Sequence, residues 1–318
     1  MRRWLRRRSD PNQEWQRPEE PAPSTRPQPS GSPQTSHPSV EDDTAWRPSA
    51  EQGETAREPQ AAPARRGPSY ATTPEAHLLP PVKEPVLAAE NVSRTYPGRV
   101  GVTALRGVTM SVFPGEFVAL MGPSGSGKST LLGLLAGLDH PEEGRVLWQG
   151  RDVRGLSHTE ALALRRKELG MVFQSFGLLP TLSALENVEL PLRVAGARLD
   201  RANEAAVGWL TRLGLESRLD NRTFELSAGQ QQRVAIARAL VIEPVVVLAD
   251  EPIAEVDTEN ADLILDALAE VVRRGGSVLA ATHNPEALAY ANRVVLLRDG
   301  RVEAEGTPEE IAGRLSTD

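Results

Sequence analysis

Nine consecutive residues, Gly122-Pro123-Ser124-Gly125-Ser126-Gly127-Lys128-Ser129-Thr130, separate a short apolar run, Glu116 to Met121, from a stretch with helical apolar spacing, Lys128 to Leu138. A strand that ends in a glycine-rich turn and restarts at once as a helix admits few folds. The glycines let main-chain N–H groups close around anionic oxygens, and the helix start adds a favourable field for negative charge. In this spacing Lys128 reaches the β- and γ-phosphates of a nucleotide and the Ser129 hydroxyl holds Mg²⁺. A Gly/Ser-rich turn with a chance lysine is the alternative, and the flanking strand and helix weigh against it.

The rest of the chain agrees with a strand-helix alternation. Val86 to Val92 and Val102 to Val112 read as strands with a turn marked by Gly98 and Gly101. Arg145 to Trp148, Met171 to Phe173, Val245 to Ala249 and Ser277 to Ala281 are short apolar runs, separated by helical stretches such as Asp200 to Leu213 and Asn260 to Arg273. Such alternation implies a mostly parallel sheet covered on both faces. Before Glu84 the text differs. More than half of the 26 prolines fall in residues 1–82, among Ser, Gln, Arg and Glu. A segment of that kind buries too little apolar surface to offset its ordering entropy. The expected division is a disordered Pro/Ser/Arg-rich tail, 1–82, and one globular unit, 83–318.

The tail carries equal numbers of acidic and basic groups, so the net charge of −7 belongs to the globular part. An acidic domain argues against nucleic acid as a partner. With no Cys there is no disulfide framework and no thiolate chemistry. No apolar run approaches the roughly 18 residues of a membrane span. Met1 to Arg8 is basic but no signal-peptide apolar stretch follows, so export is not expected.

A second motif completes the chemistry. Val245-Val246-Val247-Leu248-Ala249-Asp250-Glu251 is an apolar strand ending in two carboxylates. At the carboxyl end of a parallel strand beside a phosphate loop, Asp250 fixes the Mg²⁺ shell and Glu251 polarises an attacking water.

With Leu226-Ser227-Ala228-Gly229-Gln230 between them, these motifs resemble the nucleotide-binding domain of the ABC ATPase family, from about Ala88 to Gly306. The resemblance implies an α/β P-loop NTPase fold: a RecA-like core with a mostly parallel sheet, an antiparallel β subdomain and an α-helical signature subdomain. It also implies roles for single residues. Tyr96 stacks on adenine, with core packing as its alternative. Gln174 touches Mg²⁺ or the water and senses the membrane partner, and His283 contacts the γ-phosphate. Ser227 and Gly229, with Gln230, meet the γ-phosphate held by the other protomer. Ser227 followed by Gln230 is equally a capping box for the helix running to Leu240. Asp257 is identified as the aspartate that communicates across the dimer. Two departures stand out. Ala228 replaces a signature glycine, which is harmless if it lies in the first helical turn. Ile253, Ala254 and Val256 replace a Thr-Gly pair and a Leu, which alters coupling between two sites.

The family likeness thus implies an ATP- and Mg²⁺-dependent ATPase that dimerises with a second copy of itself and drives a separate polytopic membrane permease, from the cytoplasmic face of the membrane. Phe176 to Leu182 with Ala184 to Leu192 resembles the lipoprotein-release and macrolide-export branch, where this stretch receives a short permease helix. The alternative is a non-transport relative that mechanically regulates a membrane-anchored cell-wall enzyme. In the tail, Trp4 and Leu5 suit an anionic membrane surface or a solvated terminus, and Trp15 and Trp46 mark a candidate partner-binding segment.

Overall fold

The computed structural model describes residues 84–97 and 101–315. The expected disordered tail, with Trp4, Leu5, Trp15 and Trp46, lies outside the described residues, as does Gly98. In chain order come β1 (Leu87–Tyr96), β2 (Val102–Val112), β3 (Phe117–Met121), α1 (Lys128–Leu135), β4 (Glu143–Trp148), β5 (Arg151–Asp152) and α2 (His158–Glu168). They continue with β6 (Leu169–Val172), α3 (Ala184–Val194), α4 (Leu199–Arg212), α5 (Ala228–Leu240), β7 (Val246–Asp250), α6 (Thr258–Arg273), β8 (Ser277–Ala281), β9 (Arg293–Arg298), β10 (Arg301–Gly306) and α7 (Pro308–Leu315).

Two sheets result. One is antiparallel, in the order β2-β1-β4-β5, and the other follows β10-β9-β3-β8-β7-β6. In the larger sheet β6, β7, β8, β3 and β9 run parallel, with β10 antiparallel at the edge. All residues of β3, β7 and β8 are buried, which is why these strands read as unbroken apolar runs. Alternate side chains serve opposite faces. Val246 and Leu248 pack with Leu131, Leu132, Leu134 and Leu135 of α1 and with the antiparallel sheet. Val247 and Ala249 pack with Ile236 of α5 and Ile264 of α6.

Between β6 and α5 the chain leaves the sheet and builds α3 and α4. Ser183 caps α3 in a box with Glu186, and Ala202, Ala206 and Leu210 form the buried stripe of α4. The fully buried Asn187 ties the preceding turn to α3. Its amide nitrogen donates to the carbonyls of Leu179 (3.1 Å), Leu182 (3.3 Å) and Ser183 (2.9 Å), and its oxygen accepts from Leu179 N (2.8 Å).

The parallel core and the covering on both faces follow the sequence reading, with shifted bounds. β1 continues past Val92 to Tyr96 because pairing with β2 persists across register shifts where the apolar alternation fails. α1 stops at Leu135 rather than Leu138, since Gly137 turns the chain at φ 63°. Phe173 lies beyond β6. The β9–β10 hairpin went unread, although Asp299-Gly300 has the left-handed φ pair, 48° and 75°, of a tight hairpin turn.

Candidate functional site

The loop from Gly122 to Thr130 leaves the carboxyl end of β3 and enters α1. Gly127 is the residue before the helix, at φ 106°, and a side chain there would stand 2.5 Å from the Ala104 carbonyl oxygen. Gly122 is tighter still: a methyl would lie 2.0 Å from the Leu297 carbonyl oxygen. These two positions need glycine for close approach of backbone to backbone. Lys128 is nearly buried, and its ammonium donates to the carbonyls of Gly122 at 2.8 Å and Pro123 at 3.2 Å. It lies 3.8 Å from Glu251 Oε1. One main-chain path ties this loop to the antiparallel sheet: Arg106 N donates to Gly300 O (2.8 Å) and Gly300 N to Ser126 O (3.0 Å).

Asp250 ends β7 and is 8% exposed, and its Oδ1 is buried with no hydrogen-bond partner. Burial pushes its carboxyl above the ordinary range, and the adjacent Glu251 charge adds to that, while a hydrogen bond from the Ser129 hydroxyl and the Lys128 charge oppose it. An orphaned carboxylate oxygen beside a hydroxyl has the donor chemistry that a hard divalent ion takes. Among the described residues no group of three or more His, Asp or Glu is arranged to hold an ion alone. A hard cation such as Mg²⁺ is bound this way, with few protein oxygens and the rest from phosphate and water. Ser129 and Asp250 therefore fit the expected metal. Ser126 Oγ is likewise buried without a partner.

Glu251 is a non-glycine residue at φ 49°. That left-handed backbone aims its carboxylate away from the strand, where both oxygens meet His283 Nδ1 at 3.0 and 3.1 Å. His283 follows β8 and is mostly exposed, whereas Glu251 is largely covered. Strain of this kind at a cleft is a functional signal.

A cleft of about 660 Å³ brings Lys128, Ser129, Thr130, Gln174, Glu251 and His283 together, with Pro123, Ser124 and Gly125 of the loop along its wall. Other expected site residues stand apart from it. Tyr96 closes β1 and is partly exposed. Its hydroxyl bonds Asp139 Oδ2 (3.1 Å), and Arg94, which forks onto both Asp139 oxygens, lies 4.9 Å from the ring centre. One ring face is thus occupied by a cation, an arrangement that the isolated Tyr96 signal did not disclose.

Ser227 caps α5: Gln230 N donates to Ser227 Oγ (3.3 Å) and Ser227 N to Gln230 Oε1 (3.0 Å). Ala228 is the first helical residue, as its harmless reading requires. Asp257 caps α6 through Asn260 N at 3.0 Å. That bond, with the Asn260 side-chain amide, holds its carboxyl below the usual range. Within one protomer Ser227, Gly229, Gln230 and Asp257 do not line the cleft.

The family model described as ABC transporter matches residues 105–254. An uncharacterized ABC transporter ATP-binding protein of Thermotoga maritima is 47% identical over 206 residues, covering 65% of this chain and 88% of that protein. The macrolide export ATP-binding/permease protein MacB of Nitrobacter winogradskyi is 43% identical over 226 residues, 71% of this chain but only 35% of MacB. The chain thus spans about a third of that relative's length. Among solved structures, the ATP-binding cassette MJ0796, dimeric in a post-hydrolysis state with ADP and Pi, superposes with a TM-score of 0.67. It is 38% identical and covers 70% of this chain and 98% of its own.

Proposed function

We propose, for a chain that belongs to the ABC transporter ATP-binding proteins, a subunit that closes on ATP as a pair of copies and drives a separate polytopic permease. The chain is an ATPase domain of that family. The observation that carries the finer reading is the convergence of Lys128, Glu251 and His283 on one cleft, with Asp250 buried behind Ser129. Glu251 is positioned to orient water toward a γ-phosphate, and His283 fixes its carboxylate. Lys128 balances charge on the phosphates and Gln174 reaches the same space. Mg²⁺ held by Ser129, Asp250 and Gln174 would supply charge neutralisation.

Ser227, Gly229, Gln230 and Asp257 sit outside their own cleft, which supports a site completed by the facing copy. Each copy then contributes one half of each site, and two nucleotides favour the closed pair by their higher affinity for it. Hydrolysis removes the γ-phosphate contacts that hold the pair shut. Tyr96, with Arg94 behind it, offers its free ring face to adenine. The catalytic unit is assigned to residues 83–318.

No helix among the described residues is long and apolar enough to cross a membrane, and the MacB relatives are named as combined ATP-binding/permease proteins. The proposed place is therefore the cytoplasmic face of the membrane, through a permease chain that docks on the Phe176–Leu192 stretch. The test is nucleotide binding and hydrolysis by the full chain with Mg²⁺. Wild-type protein is expected to bind ATP and release phosphate, and Lys128→Ala to lose at least about 100-fold in kcat/KM. Absence of nucleotide affinity in the wild type would overturn the reading.

A further inference from the structure

The segment that follows Glu251 rests on one face of α5. In the first turn of that helix, a methyl on Gly229 would stand 3.2 Å from Val256 Cγ1 and 3.4 Å from the Glu255 carbonyl oxygen. Three residues along, on the same side of the helix, Gln232 is 1% exposed and its amide donates to the Pro252 carbonyl at 2.9 Å. Ile253, 2% exposed, lies in the core cluster that holds Val234 and Ile236 of α5. Thus the helix that begins at Ser227 touches residues 252–256 at two points one turn apart.

Pro252 is the residue after Glu251, whose left-handed backbone persists only if its surroundings over-determine it. Two hydrogen bonds bracket that residue. Glu251 N donates to Ala281 O at 2.8 Å on one side, and Gln232 grips the next carbonyl on the other. The first bond belongs to the sheet and is fixed. The second comes from α5.

We propose that Gln232 is a positioning residue that links the start of α5 to the carboxylate of Glu251 in the same protomer. The inference rests on the two-copy reading above, in which Ser227 faces the nucleotide held by the partner. A displacement of the α5 start by that nucleotide is then transmitted, through a direct, buried hydrogen bond, to the residue that acts on the protomer's own nucleotide. Each site thereby reports its occupancy to the other. A merely packed amide in the same place would affect folding alone, and that difference sets the experiment.

Gln232→Met keeps the length of the side chain and removes its donor, and Val256→Ala loosens the other contact at a side chain that is only partly buried. Both are made in the full chain, with ATP-binding sites counted by equilibrium titration so that turnover is expressed per competent site. Steady-state ATPase activity is then followed against ATP concentration with Mg²⁺. The Met variant is expected to lose about 10-fold in kcat per site with ATP affinity within about twofold. Its Hill coefficient should fall from near 2 toward about 1. Val256→Ala should lower the Hill coefficient in the same direction with a loss of about threefold in kcat, and it decides the matter if Gln232→Met does not fold. Wild-type kcat per site and cooperativity in the variants would overturn the proposal, even if the yield of folded protein drops. A wild type without turnover would overturn the functional reading together with it, whereas a wild type that turns over without cooperativity would overturn the relay alone.

Discussion

Replacing Asp250 by Asn keeps the volume of the side chain and an acceptor for the Ser129 hydroxyl, while removing a charge whose Oδ1 is buried without a partner. Burial raises the Asp250 carboxyl above its unfolded value. The contribution of such a group to stability is complete below the ordinary carboxylate range near ~4 and is lost as pH rises through the raised folded value. Above that raised value the wild type carries the penalty of the buried charge, and the Asn variant carries only that of a neutral amide. The difference is about 1 kcal/mol in favour of Asn, or about 2–4 °C in Tm for a unit of this size. Its advantage should vanish as pH falls toward ~4. Ligand binding should move the other way. At nucleotide concentrations 100 times the wild-type Kd, Mg²⁺–ATP stabilises the protein by about 2.7 kcal/mol, and a 100-fold weaker variant retains about 0.4 kcal/mol of this. Affinity for ATP without Mg²⁺ should change by less than about threefold. Thermal unfolding at pH 7 and at pH 4.5, with and without ATP and Mg²⁺, measures every term. An Asn variant that melts below the wild type without ligand, or that keeps the full Mg²⁺–ATP shift, would refute the assignment of Asp250 as a charge held for a cation.

Glu251→Gln removes the water-orienting carboxylate but leaves Lys128 and the loop in place, so turnover should fall by at least about 100-fold while ATP traps a two-copy species visible by size-exclusion chromatography. A variant that hydrolyses normally would exclude Glu251 from the chemistry. Ala228→Gly is expected to change ATPase turnover by less than about twofold, because Ala228 occupies the first helical position of α5 and needs no special backbone. Asn187→Leu removes the partner of Leu179 N, while the carbonyls of Leu179 and Ser183 keep their main-chain donors Leu182 N and Asn187 N, so the cost measured by urea unfolding should be about 2 kcal/mol. ATP affinity per folded molecule should be retained in that variant, since the residue supports the turn before α3 and not the cleft.

The phosphate loop was legible because its spacing is local: glycines, lysine and serine lie within one turn, between a strand and a helix that announce themselves. Asp250 and Glu251 were legible for the same reason, at the end of an apolar run. The capping role of Ser227 followed from its spacing to Gln230. What escaped were relations between distant segments. Nothing in the text around Gln232 points to Pro252, and Arg94 carries no sign that it will fork onto Asp139 and cover Tyr96. The closing hairpin does carry a local signal in the dipeptide Asp299-Gly300. The left-handed conformation of Glu251 belongs to the packed whole, since the same dipeptide elsewhere would be an ordinary strand end.

The connection of Arg106 to Gly300 and of Gly300 to Ser126 is made entirely of peptide groups. At Arg106 and Ser126 every residue type but proline supplies the same N–H or C=O, whereas Gly300 has no substitute, since a side chain there would stand 2.6 Å from the Ala104 carbonyl oxygen. The distance between the antiparallel sheet and the phosphate loop is therefore insulated from drift in the side chains around it.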